Sequence, residues 1–255
     1  MSSYRANRAS PKLFTASYKP PRPRTRWSWR PVILAGGVII MIWLLGRLPV
    51  FRIASVELKG SDDPSLRESL GSLVGESVFS RRINETENRL LQSNDHLKTL
   101  NCQVGLPSSL RCLVTLRQPV IIWQRQGSRF LLDNQGNAFG LAENIDDMLM
   151  VIEDPAPLSL AVGAAVASSE LVSQYLKLDE LLKQHRFQPT RYIVGESLYQ
   201  LGSTLNFNEK TITVLFSLTW PLDFQLRTLL AFREGEASLV SERIDLRVPG
   251  YVYFK

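Results

Sequence analysis

The sequence predicts an α+β protein in which a single transmembrane helix precedes a body of mixed helices and strands. An uncharged apolar run at residues 32–46 follows a strongly basic tail. The next segments alternate between strand and helix patterns in the order β-α-α-β-β. The second half of the chain contains many strand patterns and two helical ones. We therefore expect the transmembrane helix, then a compact βααββ unit, and then an antiparallel β-rich domain with flanking helices.

Residues 1–30 form the basic tail, which we predict to be disordered. It holds eight Lys and Arg residues and no acid, while the whole chain has 30 bases and 24 acids. The remaining 22 bases and 24 acids give the body a net charge of about −2, so the basic balance belongs to the tail. A proline-rich basic segment cannot bury a core. Nucleic acid binding is one interpretation of such a tail, but the segment that follows favours a membrane, and we expect no nucleic acid partner.

Residues 31–49 are predicted to be a transmembrane signal anchor. With its flanking residues, the run VILAGGVIIMIWLLG extends to about twenty residues, which is long enough to cross a bilayer. Arg47 interrupts its end and is expected to reach the far interface. Because basic residues are retained on the cytoplasmic side, the tail should be cytoplasmic and the body exported. A cleaved signal peptide and a buried core helix are the alternatives.

The first folded unit is placed at residues 50–119. The elements, in order, are a strand at 51–60, a helix beginning near Pro64, a helix at 81–92, and strands at 97–106 and 109–117. Asp62 or Asp63 is suited to cap the first helix, and Pro64 fits its first turn. The two strands meet at the turn LPSS and form a hairpin.

Residues 120–255 are predicted to be the β-rich domain. Its elements, in order, are strand runs within 119–140, a strand at 148–155, a helix at 168–186, strand runs within 191–207 and 210–220, a short helix at 223–232, and a final strand at 241–255. In the final strand SERIDLRVPGYVYFK, alternation places Ile244, Leu246, Val248, Val252 and Phe254 on one side. Tyr251 and Tyr253 then lie on the other side.

Four short motifs follow the predicted anchor in this order: FRIASVELKG, LPSSL followed by RQPVIIW, FLLDNQGNAFG, and IDLR. Together they resemble the bacterial cell-division family FtsQ, called DivIB in Gram-positive bacteria. FRIASVELKG matches the opening strand of a POTRA domain. Pro107 and Leu110 fit the family's W-P-x-x-L hairpin, with Leu106 in place of Trp. Pro119 and Trp123 fit its E-x-x-P-x-x-x-W strand, where Leu116 replaces Glu. LLDNQGNAF fits its L-x-D-x-x-G-x-x-F turn, and IDLR lies near the end of the chain.

This resemblance implies a non-enzymatic scaffold at the division septum, with residues 50–119 as a POTRA domain. The family is held in the inner membrane by one helix, with the N-terminus cytoplasmic and the body periplasmic. Its last strand binds FtsB, which is paired with FtsL, and its POTRA domain contacts other divisome proteins. Carried over, the contact begins at Arg247, Val248 and Gly250. Val248 stands where a Tyr is familiar, and Tyr251 or Tyr253 is expected to replace that aromatic anchor. An internal strand with its partners already satisfied is the alternative.

The sequence contains no motif for catalysis, metal binding or a cofactor. Ser-x-x-Lys, Gly-x-Ser-x-Gly and His-Glu-x-x-His are all missing from the sequence. The two histidines, His96 and His185, lie near predicted helix ends and lack ligand spacing. The turn DNQG lacks the alternating carboxylates of a calcium loop and is interpreted as an Asx turn. We expect no small-molecule substrate. A POTRA-bearing transport or outer-membrane assembly component, and a membrane-anchored cell-wall enzyme, are the alternative functions.

Cys102 and Cys112 are the two cysteines of the chain. If the hairpin is symmetric about Pro107, they are cross-strand neighbours on one face. An exported compartment is oxidising, which favours a disulfide. In the family these positions are usually aliphatic and face the core. Two states therefore stay open, a disulfide and two buried reduced thiols.

Overall fold

The computed structural model describes residues 29–45, 49–142, 149–207, 210–235 and 242–255. Helix α1 (Arg30–Leu45) has 16 residues. Among the described residues, no helix combines the length and the apolar character needed to cross a membrane. The anchor predicted at 31–49 stays a prediction, because residues 46–48 lie outside the described ranges. The disorder predicted for the tail also stays a prediction, because residues 1–28 lie outside the described ranges.

Residues 48–255 form one compact unit, which begins with a small sheet covered by two helices. A short 3-10 helix (Pro49–Phe51) leads into strand β1 (Ser55–Lys59), helices α2 (Pro64–Gly71) and α3 (Arg82–Ser93), and strands β2 (Leu97–Gly105) and β3 (Ser109–Leu116). The strand order is β1-β3-β2, with β1 parallel and β2 antiparallel to β3. The order of elements is the βααββ order that the sequence predicts.

Local signals in the sequence explain where α2 begins and which face it buries. The Asp63 carboxylate accepts a hydrogen bond from the Ser65 N–H at 2.9 Å, and Pro64 occupies the first turn. Of the two candidates in the sequence, Asp63 is therefore the residue that caps α2. The buried positions recur at helical spacing and join the strands in one hydrophobic cluster, which includes Ile53, Leu66, Leu70, Leu73, Val78, Ile83, Leu90, Leu100, Leu110, Cys112 and Val114.

The rest of the chain forms a nine-stranded sheet with two helices. In chain order the elements are β4 (Ile121–Arg125), β5 (Ser128–Leu132), β6 (Ala138–Leu141), β7 (Met150–Asp154), α4 (Ser169–Gln184), β8 (Pro189–Val194), β9 (Gln200–Phe207), β10 (Lys210–Ser217), α5 (Leu222–Gly235), β11 (Arg243–Asp245) and β12 (Tyr253–Phe254). Across the sheet the order is β12-β11-β10-β9-β8-β7-β4-β5-β6. Apolar side chains of α4 and α5 pack on the sheet in a second hydrophobic cluster, separate from the first.

The sheet is mixed, which corrects the expected antiparallel arrangement. Strand pairs β4–β7, β7–β8 and β10–β11 are parallel within the described ranges. Helix α4 lies between β7 and β8 in the chain, and α5 lies between β10 and β11. A connection of helix length allows the next strand to run in the same direction as the previous one. The sequence shows both helices but not that they serve as crossovers.

The C-terminal segment also differs from the single extended strand that the sequence predicts. It forms β11 and β12, joined by a turn in which Gly250 has φ +80°. The Tyr251 N–H donates to the Val248 carbonyl at 3.2 Å. Pro249 cannot donate a ladder hydrogen bond, and glycine adopts a positive φ without steric cost, so the Pro-Gly pair breaks the strand. The chain folds back, and β12 pairs antiparallel with β11.

Candidate partner-binding site

Strand β12 forms one edge of the nine-stranded sheet, and its backbone offers free positions to an added strand. The Arg243 N–H donates to the Lys255 carbonyl at 3.2 Å, and the Lys255 N–H donates to the Arg243 carbonyl at 3.0 Å. These two residues are a hydrogen-bonded antiparallel pair, so the backbone groups of the neighbouring Phe254 point away from β11. The Phe254 N–H and C=O are therefore directed to the outer edge of the sheet.

Strand β11, in contrast, is held on both sides by its own chain. It lies parallel to β10 and antiparallel to β12. Ile244 and the following Leu246 are fully buried in the second hydrophobic cluster. The edge open to a partner is therefore limited to β12 and its turn, and does not extend over the whole segment 241–255.

Arg247 is the first of the residues that the family resemblance assigns to the partner contact. Its Nη1 donates to Gln200 Oε1 at 2.9 Å, while Nε and Nη2 both reach the Asp245 carboxylate. Burial favours the neutral form of Asp245, but the hydrogen bonds from Arg247 outweigh it and lower the pKa of that carboxyl. Trp220 Nε1 donates to the Arg247 carbonyl at 3.2 Å. Arg247 thus holds the start of the turn in place.

The remaining assigned residues lie on the surface of the turn and of β12. Val248, Gly250, Tyr251 and Tyr253 are exposed, and the two tyrosine rings stack with centroids 6.3 Å apart. Four of the five assigned residues therefore lie on the surface. Arg247 instead faces inward, to Asp245 and Gln200. The two tyrosines belong to neither hydrophobic cluster, so their rings lie outside the core.

Sequence reasoning missed a group of residues beside the turn. Trp220 and the exposed Phe224 pack against each other with ring centroids 5.5 Å apart. Together with residues of the turn they line a small cavity of about 80 Å³, whose walls are Trp220, Phe224, Thr228, Leu246, Gly250, Tyr251 and Val252. The signal that was available is the pair of aromatic residues Trp220 and Phe224, which stand on either side of the start of the predicted helix.

The turn DNQG is built by one carboxylate, Asp133. Its Oδ1 accepts the N–H groups of Gln135 and Asn137, each at 2.9 Å, and its Oδ2 pairs with Arg117. Burial favours the neutral acid, but these hydrogen bonds prevail and the pKa of Asp133 is lowered. Gly136 has φ +80°, and a Cβ there would lie 2.1 Å from the Ala167 carbonyl oxygen. The Asp and the Gly of this motif are thus required by local geometry.

A second buried carboxylate, that of Asp154, explains why the motif on β4 contains Trp123. Trp123 is fully buried, and its Nε1 donates to Asp154 Oδ2 at 3.0 Å. Arg125 Nε donates to the same oxygen at 2.9 Å, and the Ala156 N–H donates to Oδ1 at 2.9 Å. Asp154 lies on β7, so this cluster joins two neighbouring strands of the sheet.

Metal binding requires several His, Cys, Asp or Glu side chains to lie close together. Within the described ranges, no three His, Cys, Asp or Glu residues lie together as a metal-binding group. The His96 ring packs edge-on against Phe139 at 5.7 Å, and His185 caps the end of α4. A groove of about 420 Å³ between the end of α2 and α3 is lined by Ser72, Leu73, Glu76, Arg82, Glu85, Thr86 and Arg89, and in it Arg82 pairs with Glu76.

Cys102 on β2 and Cys112 on β3 are directly opposite each other in the antiparallel ladder. Their sulfur atoms are bonded, and the Cα atoms are 4.0 Å apart. Cys112 is buried in the first hydrophobic cluster, and Cys102 packs against that cluster while it is partly exposed. The pair joins the edge strand of the small sheet to its central strand.

Comparison with known proteins finds similarity over about half of the chain. No family model matches the sequence. The cell division protein FtsQ of Rickettsia bellii is 28% identical over 140 residues, which covers 52% of this chain and 48% of the relative. Over the matched region, this chain is similar to FtsQ cell division proteins. The FtsQ of Rickettsia felis is 26% identical over 140 residues, and that of Rickettsia prowazekii is 24% identical over 137. The matched region spans about half the length of these FtsQ proteins.

Proposed function

We propose that this protein is a non-enzymatic scaffold of the bacterial division machinery, and its similarity to FtsQ cell division proteins supports a role in division. Residues 31–49 anchor it in the inner membrane, with the N-terminus in the cytoplasm and the body in the periplasm at the septum. The body binds the FtsB/FtsL pair through its C-terminal edge and recruits other divisome proteins. The observation that supports this best is the open edge of β12, where the Phe254 N–H and C=O face outward.

An added strand obtains main-chain hydrogen bonds from such an edge and specificity from the neighbouring side chains. A partner strand beside β12 would exchange hydrogen bonds with Phe254. Its side chains would reach the stacked Tyr251 and Tyr253 on the surface, and an apolar one would lie at the cavity beside Trp220 and Phe224. Aromatic anchors around a central pocket are the usual source of binding energy in protein interfaces.

Residues 50–119 are proposed to be a POTRA domain that contacts further division proteins. The βααββ order and the exposed edge of β2 support this assignment. Part of that edge is already occupied, because Glu87 Oε2 on α3 accepts the Cys102 N–H at 3.4 Å. We therefore expect α3 and β2 to act together in any contact made by this face.

The edge proposal is tested by two substitutions at one position. Phe254→Pro removes the outward N–H, whereas Phe254→Ala keeps it and removes only the ring that packs on Phe232 at 5.2 Å. With the full chain in detergent, Phe254→Pro should capture much less of a purified FtsB/FtsL pair than Phe254→Ala does. A chain ending at Tyr251 should also lose capture, and it keeps the buried Ile244 and Leu246. Equal capture by Phe254→Pro and the unchanged protein would remove this edge from the proposal.

The cellular role is tested by depletion. Cells that lose a division scaffold should form filaments while murein hydrolase activity and the outer membrane stay normal. Normal septation together with outer-membrane defects would instead point to an assembly component, and would contradict the division role.

A further inference from the structure

An exposed apolar patch lies at the start of the compact unit, far in sequence from the C-terminal edge. Phe79 is 65% exposed and Val50 is 57% exposed, although both are large apolar residues. The half-buried Phe51 lies beside Phe79, with ring centroids 5.9 Å apart. We call Val50, Phe51 and Phe79 the Phe79 patch. Neither the C-terminal site nor the hydrophobic clusters account for its exposed side chains.

The patch is held rigidly by a short antiparallel ladder. Arg52 and Ser77 form a β-bridge, and the Val78 N–H donates to the Phe51 carbonyl at 2.9 Å. The 3-10 helix Pro49–Phe51 leads into this ladder, so Val50 and Phe79 directly adjoin its last hydrogen-bonded residues, Phe51 and Val78. Val78 and the nearby Ile53 are buried and fix the ladder to the core. The backbone that carries the exposed Phe79 ring is therefore held against the core by these hydrogen bonds and buried side chains.

The position of the patch in the chain identifies what it faces, provided that the proposed anchor at 31–49 spans the membrane. Val50 is the first residue after that anchor, so covalent geometry keeps it at the membrane surface. The ladder then brings Phe79, nearly thirty residues later in the chain, to the same place. The exposed Arg52 and Arg81 flank the patch, and the nearby Glu76 is paired with Arg82. Aromatic and basic side chains are the types that favour the membrane interface.

We propose that the Phe79 patch inserts into the interfacial layer of the outer leaflet of the inner membrane. The folded body is then seated on the bilayer by two contacts, the anchor and this patch, and its orientation is restricted. The ligand is a lipid surface with anionic headgroups, since the exposed charges beside the patch are those of Arg52 and Arg81.

Site-specific photo-crosslinking of the full chain in intact membranes tests this proposal. The photoreactive residue p-benzoylphenylalanine replaces Phe79 in one variant and Val50 in a second, and lipids carry a clickable tag. Leu158 is the matched control, because it is an apolar residue that is 74% exposed and lies in a different part of the sequence. Val38, an exposed residue of α1, reports on the anchor itself. We expect lipid adducts from positions 38, 50 and 79, and none from position 158.

The other outcomes decide against the proposal in different ways. Lipid adducts from position 38 alone would overturn the patch and leave the anchor standing. Adducts to a protein from position 79 would assign the patch to a protein partner. The absence of lipid adducts from all four positions would overturn the anchor and the patch together, whereas lost FtsB/FtsL capture by Phe254→Pro would still support the C-terminal edge. A Phe79→Ser variant should in addition lower the lipid adduct from position 50.

Discussion

The Arg247 guanidinium donates to the Asp245 carboxylate from two nitrogens, with Nε 2.9 Å from Oδ1 and Nη2 2.7 Å from Oδ2. Planar pairing of this kind fixes both side chains more firmly than a single contact does. The two residues flank Leu246, which is buried in the core. The pair therefore orients the turn from which Val248, Tyr251 and Tyr253 project. Arg247 has a structural role within its own chain, in addition to any contact with a partner.

Arg247→Ala should lower the free energy of unfolding by about 1–2 kcal/mol, because it removes several charge-assisted hydrogen bonds. It should also weaken capture of the FtsB/FtsL pair. Arg247→Lys should recover little of the lost stability or capture, since a lysine ammonium cannot pair with a carboxylate through two parallel hydrogen bonds. Urea unfolding and capture of the pair by the full chain measure both effects. Arg243→Ala, at an exposed arginine of β11, is the control, and an equal loss there would contradict the specific role of Arg247.

Asp133 should give the protein a pH-dependent stability. Its folded pKa is lowered, so the stabilisation is fully present above the unfolded value of about 3.9 and is lost as the pH falls through the folded pKa. Asp133→Asn should lower the free energy of unfolding by about 1–3 kcal/mol at pH 7, and the difference from wild type should shrink below about pH 4. Urea midpoints from pH 7 to pH 3 measure this. Asp62→Asn, at a fully exposed carboxylate, should show no such trend.

If the Asp133 effect were the same at every pH, the buried carboxylate and its pairing with Arg117 would not be its cause. The pair also joins the end of β3 to the turn after β5, and so connects the two hydrophobic clusters. Arg117→Ala should therefore destabilise the protein in the same direction, because it leaves the buried carboxylate without its cation.

Elements with strong local signals are the ones that sequence reasoning places well. Helix α2 has its cap, proline and apolar stripe within ten residues, and α4 is capped by Ser168, whose hydroxyl accepts the Leu171 N–H. The turn at Asp133 has the Asp and Gly that its geometry requires. In each case the residues that decide the structure are neighbours in sequence, so a local pattern contains the necessary information.

Features that depend on distant contacts are not visible in the sequence pattern. The parallel pairing of β10 with β11 depends on where α5 packs, and the pattern of α5 does not show it. The alternation across residues 244–254 looks like one strand, but the turn at Pro249 and Gly250 divides it, and this limits the candidate site to β12. The cavity beside Trp220 exists only because the C-terminal turn folds back onto the start of α5.

Asp154 should be far more important for stability than its neighbour Glu153. Asp154 is buried and accepts from Trp123 and Arg125, so Asp154→Ala leaves the buried Trp123 and the partly buried Arg125 without this acceptor and should cost about 3 kcal/mol. Glu153 pairs with the exposed Arg191 at the surface, and Glu153→Ala should change stability very little. Urea unfolding followed by tryptophan fluorescence compares the two variants. Equal losses of stability in the two variants would show that burial of the carboxylate does not set its contribution to stability on this strand.

The state of Cys102 and Cys112 can be measured directly by mass. With the protein unfolded in denaturant in both cases, the bonded pair should take up no alkylating reagent without reductant and two equivalents after reduction. The two cysteines are ten residues apart, and a closed loop of this length should stabilise the fold by about 2–3 kcal/mol through the entropy of the unfolded chain. Reduction should therefore lower the urea midpoint of the wild type. It should leave a Cys102→Val/Cys112→Val variant unchanged, and alkylation that is the same with and without reductant would show that the cysteines are two buried thiols.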